Sequence, residues 1–205
     1  MIYFDLREKF NDTYIIYVDS SIKPINKLAQ NNFVIWFDNE KQIKCFNYFG
    51  KLNFNNNYGL VDALTEAKLK EELLAIDPEF KFNNVLNFAL GKIEKRSQHP
   101  KSEKLAILQV DFGNFKKQII TNTTYTIEDK YFPFILNGSI NSQGLEITEG
   151  EIMNEKSQGM LASLKSFGFR IATDEENQNF FDYLNKNYQK YFGLEILDKV
   201  QTTYK

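Results

Sequence analysis

The first 84 residues alternate between short apolar runs and polar turns. Three of these runs are rich in β-branched and aromatic residues and are bounded by turn-forming residues, a pattern that is typical of β-strands. The expected strands are Tyr14–Val18, Phe33–Phe37 and Ile43–Phe49. The start of the chain therefore predicts a sheet of at least three strands.

The spacing of apolar residues changes to a helical period between residues 60 and 76. Asp62 stands where a side chain can cap the first turn, and Pro78 stands where a helix must end. We therefore expect one helix whose buried face carries Leu60, Leu64, Ala67 and Leu74. The polar stretch 77–84 is expected to link two domains, with the small α+β N-terminal domain covering residues 1–82.

Residues 85 to about 170 show short strands and no helical period. The first expected strand, 86–91, contains Gly91, which indicates a bulge or a sharp coil. Asp111–Asn114 supplies a hairpin turn. The remaining strands are expected at 105–110, 115–121, 131–136 and 144–147. Five short strands predict a Greek-key OB-fold barrel, so the expected fold class is mainly β.

A helical period returns between residues 174 and 192. Phe180, Leu184 and Tyr188 form a stripe at every fourth residue, with Phe181 and Tyr191 beside it. Such a stripe is typical of a core or of a subunit interface. We therefore expect a C-terminal helix within the second domain, 83–197, followed by a tail at 198–205.

Composition narrows the class of protein. The chain has 205 residues, of which 42% are hydrophobic and 15% aromatic, enough for a sizeable core. It shows neither a membrane-spanning run nor a signal-peptide pattern, and the single Cys45 excludes an internal disulfide framework. We expect a cytoplasmic protein that does not associate with a membrane.

The sequence contains few residues in patterns that are typical of a catalytic site. His99 is the only histidine, so a metal site with several histidines is excluded, and no nucleophile stands near a plausible base as a triad would require. The glycines lack the Lys-Ser/Thr pair that completes a phosphate-binding loop. We therefore expect no catalytic residues, no metal and no cofactor, and we do not expect an enzyme.

The positive charge of the chain is concentrated in its middle part. The net charge is −2, yet residues 85–170 carry 11 basic and 9 acidic residues and form the only net-positive block. Five of these basic residues fall between positions 92 and 104: Lys92, Lys95, Arg96, Lys101 and Lys104. Charge alone leaves a solvated face and a phosphate-contacting surface equally open.

Three motifs of this block resemble the tRNA-binding domain family, a module of the phenylalanyl-tRNA synthetase β chain and of methionyl-tRNA synthetases. They are His-Pro-Lys-Ser-Glu-Lys-Leu at 99–105, Val-Asp-Phe-Gly at 110–113 and Lys-Ser-Gln-Gly-Met-Leu-Ala-Ser at 156–163, in the family's order and spacing. The whole layout is similar to free-standing bacterial YtpR-type tRNA-binding proteins. The resemblance implies an OB-fold that binds tRNA and catalyses nothing.

The resemblance also implies an RNA-binding surface made of two loops. Lys101 and Lys104 are expected to meet phosphates, whereas His99 and Pro100 end a strand and Leu105 returns the chain to the core. Met160 fits the core better than a contact with RNA. The expected RNA-binding residues are Lys92, His99, Lys101, Ser102, Lys104, Lys116, Asn122, Lys156, Ser157, Gln158, Gly159, Met160 and Ser163.

The chain departs from the family's pattern in two places. Thr121–Tyr125 replaces the usual Cys-Gly-Ala-x-Asn stretch, and Met153–Asn154 stands where the family often has Arg-Gly, so a basic contact is missing. The expected partner is tRNA. Alternatives are an adaptor that docks on an aminoacyl-tRNA synthetase or forms a homodimer and, least favoured, an enzyme of tRNA metabolism whose catalytic groups lie in the N-terminal domain.

Overall fold

The computed structural model describes residues 1–169 and 173–204. Its N-terminal unit is an antiparallel sheet in the order β3-β4-β5-β2-β1-β6. The three predicted strands, β2, β4 and β5, are confirmed, whereas the short or polar β1, β3 and β6 were missed. The strands are β1 Ile2–Asp5, β2 Thr13–Tyr17, β3 Asn26–Gln30, β4 Phe33–Phe37, β5 Ile43–Phe49 and β6 Tyr58–Leu60.

Helix α1, Ala63–Ile76, begins directly after the predicted cap Asp62, whereas Leu60, which was predicted on its buried face, lies in β6. The Asp62 carboxylate accepts two backbone N–H groups of the first turn, at 3.0 and 3.1 Å. The predicted buried face is wrong, because Leu69 and Leu73 are buried whereas Leu64 is 85% exposed. Leu64 lies well around the helix from the two residues that face the sheet.

The N-terminal sheet is covered on both faces. Side chains alternate along β1, so Tyr3 packs with α1, whereas Ile2 and Phe4 pack with the apolar core of the second unit. The Tyr58 hydroxyl donates a hydrogen bond to the Ile140 carbonyl at 2.8 Å. The two predicted domains therefore share a continuous interface.

The second unit is a nearly closed five-stranded barrel with the strand order β13-β10-β7-β8-β9. A small hairpin of β11 and β12 lies beside β9 at the gap between β9 and β13. The predicted OB-type architecture is confirmed. The strands are β7 Phe88–His99, β8 Ser102–Asp111, β9 Lys116–Thr121, β10 Tyr131–Leu136, β11 Gly150–Ile152, β12 Glu155–Ser157 and β13 Gly159–Leu161.

Two details of the barrel test the sequence interpretation. A Cβ atom on Gly91 would lie 2.5 Å from the Val110 side chain, so the tightly coiled β7 requires glycine there. The predicted strand at 144–147 is wrong, because Glu146 forms only an isolated bridge with Ile140. The Asn141 carboxamide accepts the N–H of Leu145 at 2.9 Å and holds this segment as a turn, and β13 supplies the fifth strand.

The C-terminal region is helical in two pieces. Helix α2, Asp174–Lys186, ends earlier than the predicted residue 192, and helix α3, Leu197–Thr203, occupies most of the predicted tail, whose residue 205 lies outside the described residues. Phe180 and Leu184 of the predicted stripe are fully buried against the barrel, as core residues. Within the described ranges, no helix has the length and apolar character needed to cross a membrane.

A half-buried carboxylate, that of Glu195, joins the C-terminal segment to the barrel. Glu195 accepts the backbone N–H groups of Asn87 at 2.7 Å and Phe88 at 3.1 Å, and also that of Leu197 at the start of α3, at 3.1 Å. Burial raises the pKa of the Glu195 carboxyl. One side chain thereby holds the first barrel strand and the last helix together.

Candidate nucleic-acid interface

The tip of the β7–β8 hairpin is built around His99, which is only 2% exposed. Its Nδ1 accepts the backbone N–H of Lys101 at 3.1 Å, and its Nε2 lies 3.1 Å from the Ile152 carbonyl oxygen on β11. An N–H group can only donate and a carbonyl can only accept, so the neutral ring with hydrogen on Nε2 satisfies both contacts. His99 thus fixes two hairpins against each other.

Lys101 and Lys104, here called the hairpin lysines, project from this fixed tip. Both are exposed, and neither forms an ion pair with any residue that the structure describes. The Ser102 hydroxyl accepts the Lys104 N–H at 3.3 Å and shapes the turn. Leu105 is half-buried, and Ala106 is the residue that re-enters the core. The predicted motif therefore presents two free cations on a rigid base.

Two other predicted lysines lie at the opposite end of β8 from the hairpin tip. Lys92 pairs with Asp129, and Lys116 pairs with Glu94, each at 2.7 Å. A hydrogen bond to the partner carboxylate raises the pKa of each lysine. The structure thus separates Lys92 and Lys116 from the hairpin lysines and partly neutralises them.

The segment from Ser157 to Ser163 closes the barrel. The buried Ser157 hydroxyl accepts the Ile120 N–H at 3.1 Å, and a Cβ on Gly159 would lie 2.7 Å from the Ile135 carbonyl oxygen. Met160 is half-buried against the core, in the setting that its sequence predicted. The Ser163 N–H donates to the Ser166 hydroxyl at the start of a short 3-10 helix, at 3.2 Å. Most residues of this motif therefore stabilise the barrel.

The Glu149 carboxylate contacts two lysines and a glutamine beside this segment. Its Oε1 lies 2.8 Å from Lys117 Nζ and 3.1 Å from Gln158 Nε2, and its Oε2 lies 3.2 Å from Lys156 Nζ. The hydrogen bond from Lys117, followed by those from Lys156 and Gln158, lowers the pKa of Glu149 to about 2. The predicted contact Lys156 is therefore occupied by a carboxylate of its own chain.

A polar row that the sequence interpretation missed crosses three strands. Lys95, Gln109 and Gln118 are neighbours on β7, β8 and β9, and Gln109 Nε2 donates to Gln118 Oε1 at 2.8 Å. Gln118 Nε2 then donates to the Lys156 carbonyl at 2.9 Å. Alternation within each strand could have placed these residues on one face, but their cross-strand register was not available from the sequence.

The segment after β9, where the chain departs from the family pattern, is anchored by an arginine. Arg96 Nε donates to the Thr126 hydroxyl at 3.1 Å, and the Arg96 backbone N–H donates to Glu128 at 2.7 Å. Asn122 is exposed at the beginning of this segment. Arg96 therefore holds a loop, while Asn122 remains accessible.

Among residues 1–169 and 173–204, no group of three or more His, Cys, Asp or Glu side chains is arranged to hold a metal ion. Burial raises the pKa of the Cys45 thiol to about 12, which disfavours the reactive thiolate.

Comparison with known proteins matches the same region. Residues 88–183 match the family described as "Putative tRNA binding domain". The chain is 33% identical over 130 residues to the phenylalanine–tRNA ligase beta subunit of Clostridium acetobutylicum, and 32% identical over 93 residues to that of Thermotoga maritima. These matches cover 62% and 45% of this chain but only 15% and 12% of the relatives.

A solved structure, the MetRS related protein from Pyrococcus horikoshii, is 26% identical, with a TM-score of 0.32 over 43% of this chain and 72% of that chain. The matched family is a binding domain and not a catalytic one, although the relatives are subunits of a ligase. The barrel and the three sequence motifs lie within residues 88–183, the stretch that matches the tRNA-binding domain model.

Proposed function

We propose that this chain binds folded tRNA, without catalysing a reaction on it, through the hairpin lysines and the adjoining polar row. The family match of residues 88–183 supports tRNA as the ligand class. The observation that carries the proposal is a pair of exposed lysines, Lys101 and Lys104, which form no ion pair with a described residue and lie on a tip that the buried His99 fixes. Cations held on a rigid base can meet phosphates with little loss of conformational entropy.

The surface favours recognition of shape over sequence. Its side chains are lysines and glutamines, residue types that can contact phosphates and 2′-hydroxyls. The Gln109 and Gln118 amides also form a hydrogen bond with each other. Double-stranded RNA is recognised mostly through such backbone and shape contacts. We therefore expect a preference for folded tRNA without a preference for one base sequence.

Filter binding across a salt series tests this proposal. If about four to five phosphates are contacted, the slope of log affinity against log salt should be roughly −3 to −4.5. An unrelated unstructured RNA of equal length should bind more weakly than tRNA. A flat salt response, or equal binding of the two RNAs, contradicts the proposal.

Charge reversal at the hairpin lysines locates the surface. The double variant Lys101→Glu, Lys104→Glu should lose roughly 100-fold or more in tRNA affinity, because two attractive phosphate contacts become repulsive. The matched control is Lys9→Glu, Lys23→Glu, which changes the net charge equally at two exposed lysines of the N-terminal unit. Unchanged binding by a folded hairpin variant places the RNA surface elsewhere.

The adaptor role is the second candidate. The aromatic stripe of α2 is buried against its own barrel, so docking on a synthetase or on a second copy would need another surface. Pull-down from lysate with nuclease treatment separates the two functions. Retention of a synthetase after RNA digestion supports docking, whereas loss of all partners on digestion supports RNA binding alone.

A further inference from the structure

We propose that Lys117, Lys156 and Gln158 form a phosphate-binding subsite that Glu149 of the same chain occupies when no RNA is bound. The inference deepens the proposed function and rests on it in one respect: the phosphate would belong to the RNA backbone. Glu149 then competes with the ligand and weakens its binding.

The geometry is that of an anion site. Three donors from two separate segments converge on one carboxylate: Lys117 on β9, and Lys156 and Gln158 on either side of Ser157. The contacts involve both carboxylate oxygens and are 2.8 to 3.2 Å long. Charged donors arranged in this way bind carboxylate and phosphate oxygens by the same charge-assisted hydrogen bonds.

The occupant can be exchanged without refolding the barrel. The Glu149 backbone is held separately, because its N–H donates to the Asn137 side chain at 2.8 Å. Its carboxylate-bearing side chain is 30% exposed and that of Lys156 is 57% exposed, so solvent reaches the site. Exposed ion pairs contribute little to stability, so a phosphate contact can replace this one.

The subsite continues the polar row. Gln118, the last member of that row, donates one hydrogen bond to the Lys156 carbonyl, and its backbone N–H donates to the Gln158 side chain at 3.3 Å. An RNA backbone that follows Lys95, Gln109 and Gln118 therefore reaches Lys156 and Lys117 next. Continuity with the face already assigned to RNA identifies a backbone phosphate as the occupant.

The first test removes the competing charge. Glu149→Gln should tighten tRNA binding about tenfold and steepen the salt slope by roughly 0.7–0.9, the increment for one phosphate. Glu149→Ala should also tighten binding, because it leaves no side-chain amide that could still contact the lysines. The control Glu72→Gln removes an equal charge from an ion-paired glutamate on α1, whose Lys68 partner lies 3.9 Å away. Equal gains in control and test variants, or no gain in either Glu149 variant, overturn the inference.

The second test needs no RNA and separates the two proposals. In the Glu149→Gln variant, inorganic phosphate should shift the NMR signals of the Lys117 and Lys156 side-chain ammonium groups, and the wild type should respond more weakly. Adding Lys156→Ala to Glu149→Gln should abolish the gain in tRNA affinity. If phosphate shifts these signals but no variant binds tRNA, the subsite stands and the proposed function fails. If tRNA binds and the phosphate shifts are absent, the subsite fails alone.

Discussion

The two loops that the sequence assigns to RNA differ in what their charges are doing. On the β7–β8 hairpin, Lys101 and Lys104 are exposed and free of ion pairs with described residues. Beside the β11–β12 hairpin, Lys156 and its neighbour Lys117 share one carboxylate, Glu149. A lysine in a binding motif is therefore not yet a cation available to a ligand, because its own chain can neutralise it.

The largest effect is expected where the two hairpins meet. His99→Ala should destabilise the protein by about 2 kcal/mol, because it removes a buried ring and leaves the Ile152 carbonyl and the Lys101 N–H without their partner. It should also weaken tRNA binding, although His99 is buried. Urea unfolding and filter binding measure the two effects.

The neighbouring Gln98 provides the control for His99. Its exposed side chain donates to the Ser102 carbonyl at 2.6 Å within the same hairpin and does not reach β11. Gln98→Ala should therefore cost less stability than His99→Ala. Wild-type stability and affinity in the His99→Ala variant would show that the link between the hairpins is unimportant.

A smaller effect should distinguish the free lysines from the paired ones. Lys101→Ala should lower tRNA affinity about fivefold and make the salt slope shallower by roughly 0.7–0.9. Lys156→Ala should cost about twofold, because Glu149 already neutralises Lys156 in part. Filter binding at several salt concentrations compares them. Equal losses of tRNA affinity in the two variants would show that free and paired lysines contribute equally to binding.

The smallest effect concerns the pH dependence of stability. Because the folded-state pKa of Glu149 is lowered to about 2, its stabilisation is fully present above its usual pKa and is lost as pH falls from about 4.5 toward 2. Side-chain exposure limits the effect to about 1 kcal/mol or less. Urea unfolding at pH 7 and pH 3 should show a shallower loss for Glu149→Gln than for Glu72→Gln. Identical pH profiles would contradict the ion cluster.

The elements that were predicted correctly depend on local patterns. Apolar runs rich in β-branched and aromatic residues and bounded by turns placed β2, β4 and β5, and capping by Asp62 placed the start of α1. The family motif at 99–105 located the hairpin lysines. Each of these signals lies within about ten residues of sequence and therefore needs no knowledge of the tertiary fold.

The features that were missed depend on contacts between distant segments. Gly144–Ile147 alternates like a strand, but the Asn141 side chain folds it into a turn. Lys156 is a residue type that contacts RNA, because it carries a positive charge. Its partner Glu149 is identified only by the β11–β12 pairing. Charge and alternation indicate which kinds of contact a residue can form, whereas the fold determines which residue it contacts.

The Glu195 carboxylate has a consequence for how the protein acquires its structure. It holds the backbone N–H of Asn87, a residue made 108 positions earlier. During synthesis, the backbone N–H groups of Asn87 and Phe88 lack this acceptor until residue 195 has been made. Contacts of such long sequence separation slow folding and extend the lifetime of aggregation-prone states. The chain is therefore expected to complete the contact between its first barrel strand and its last helix late in folding.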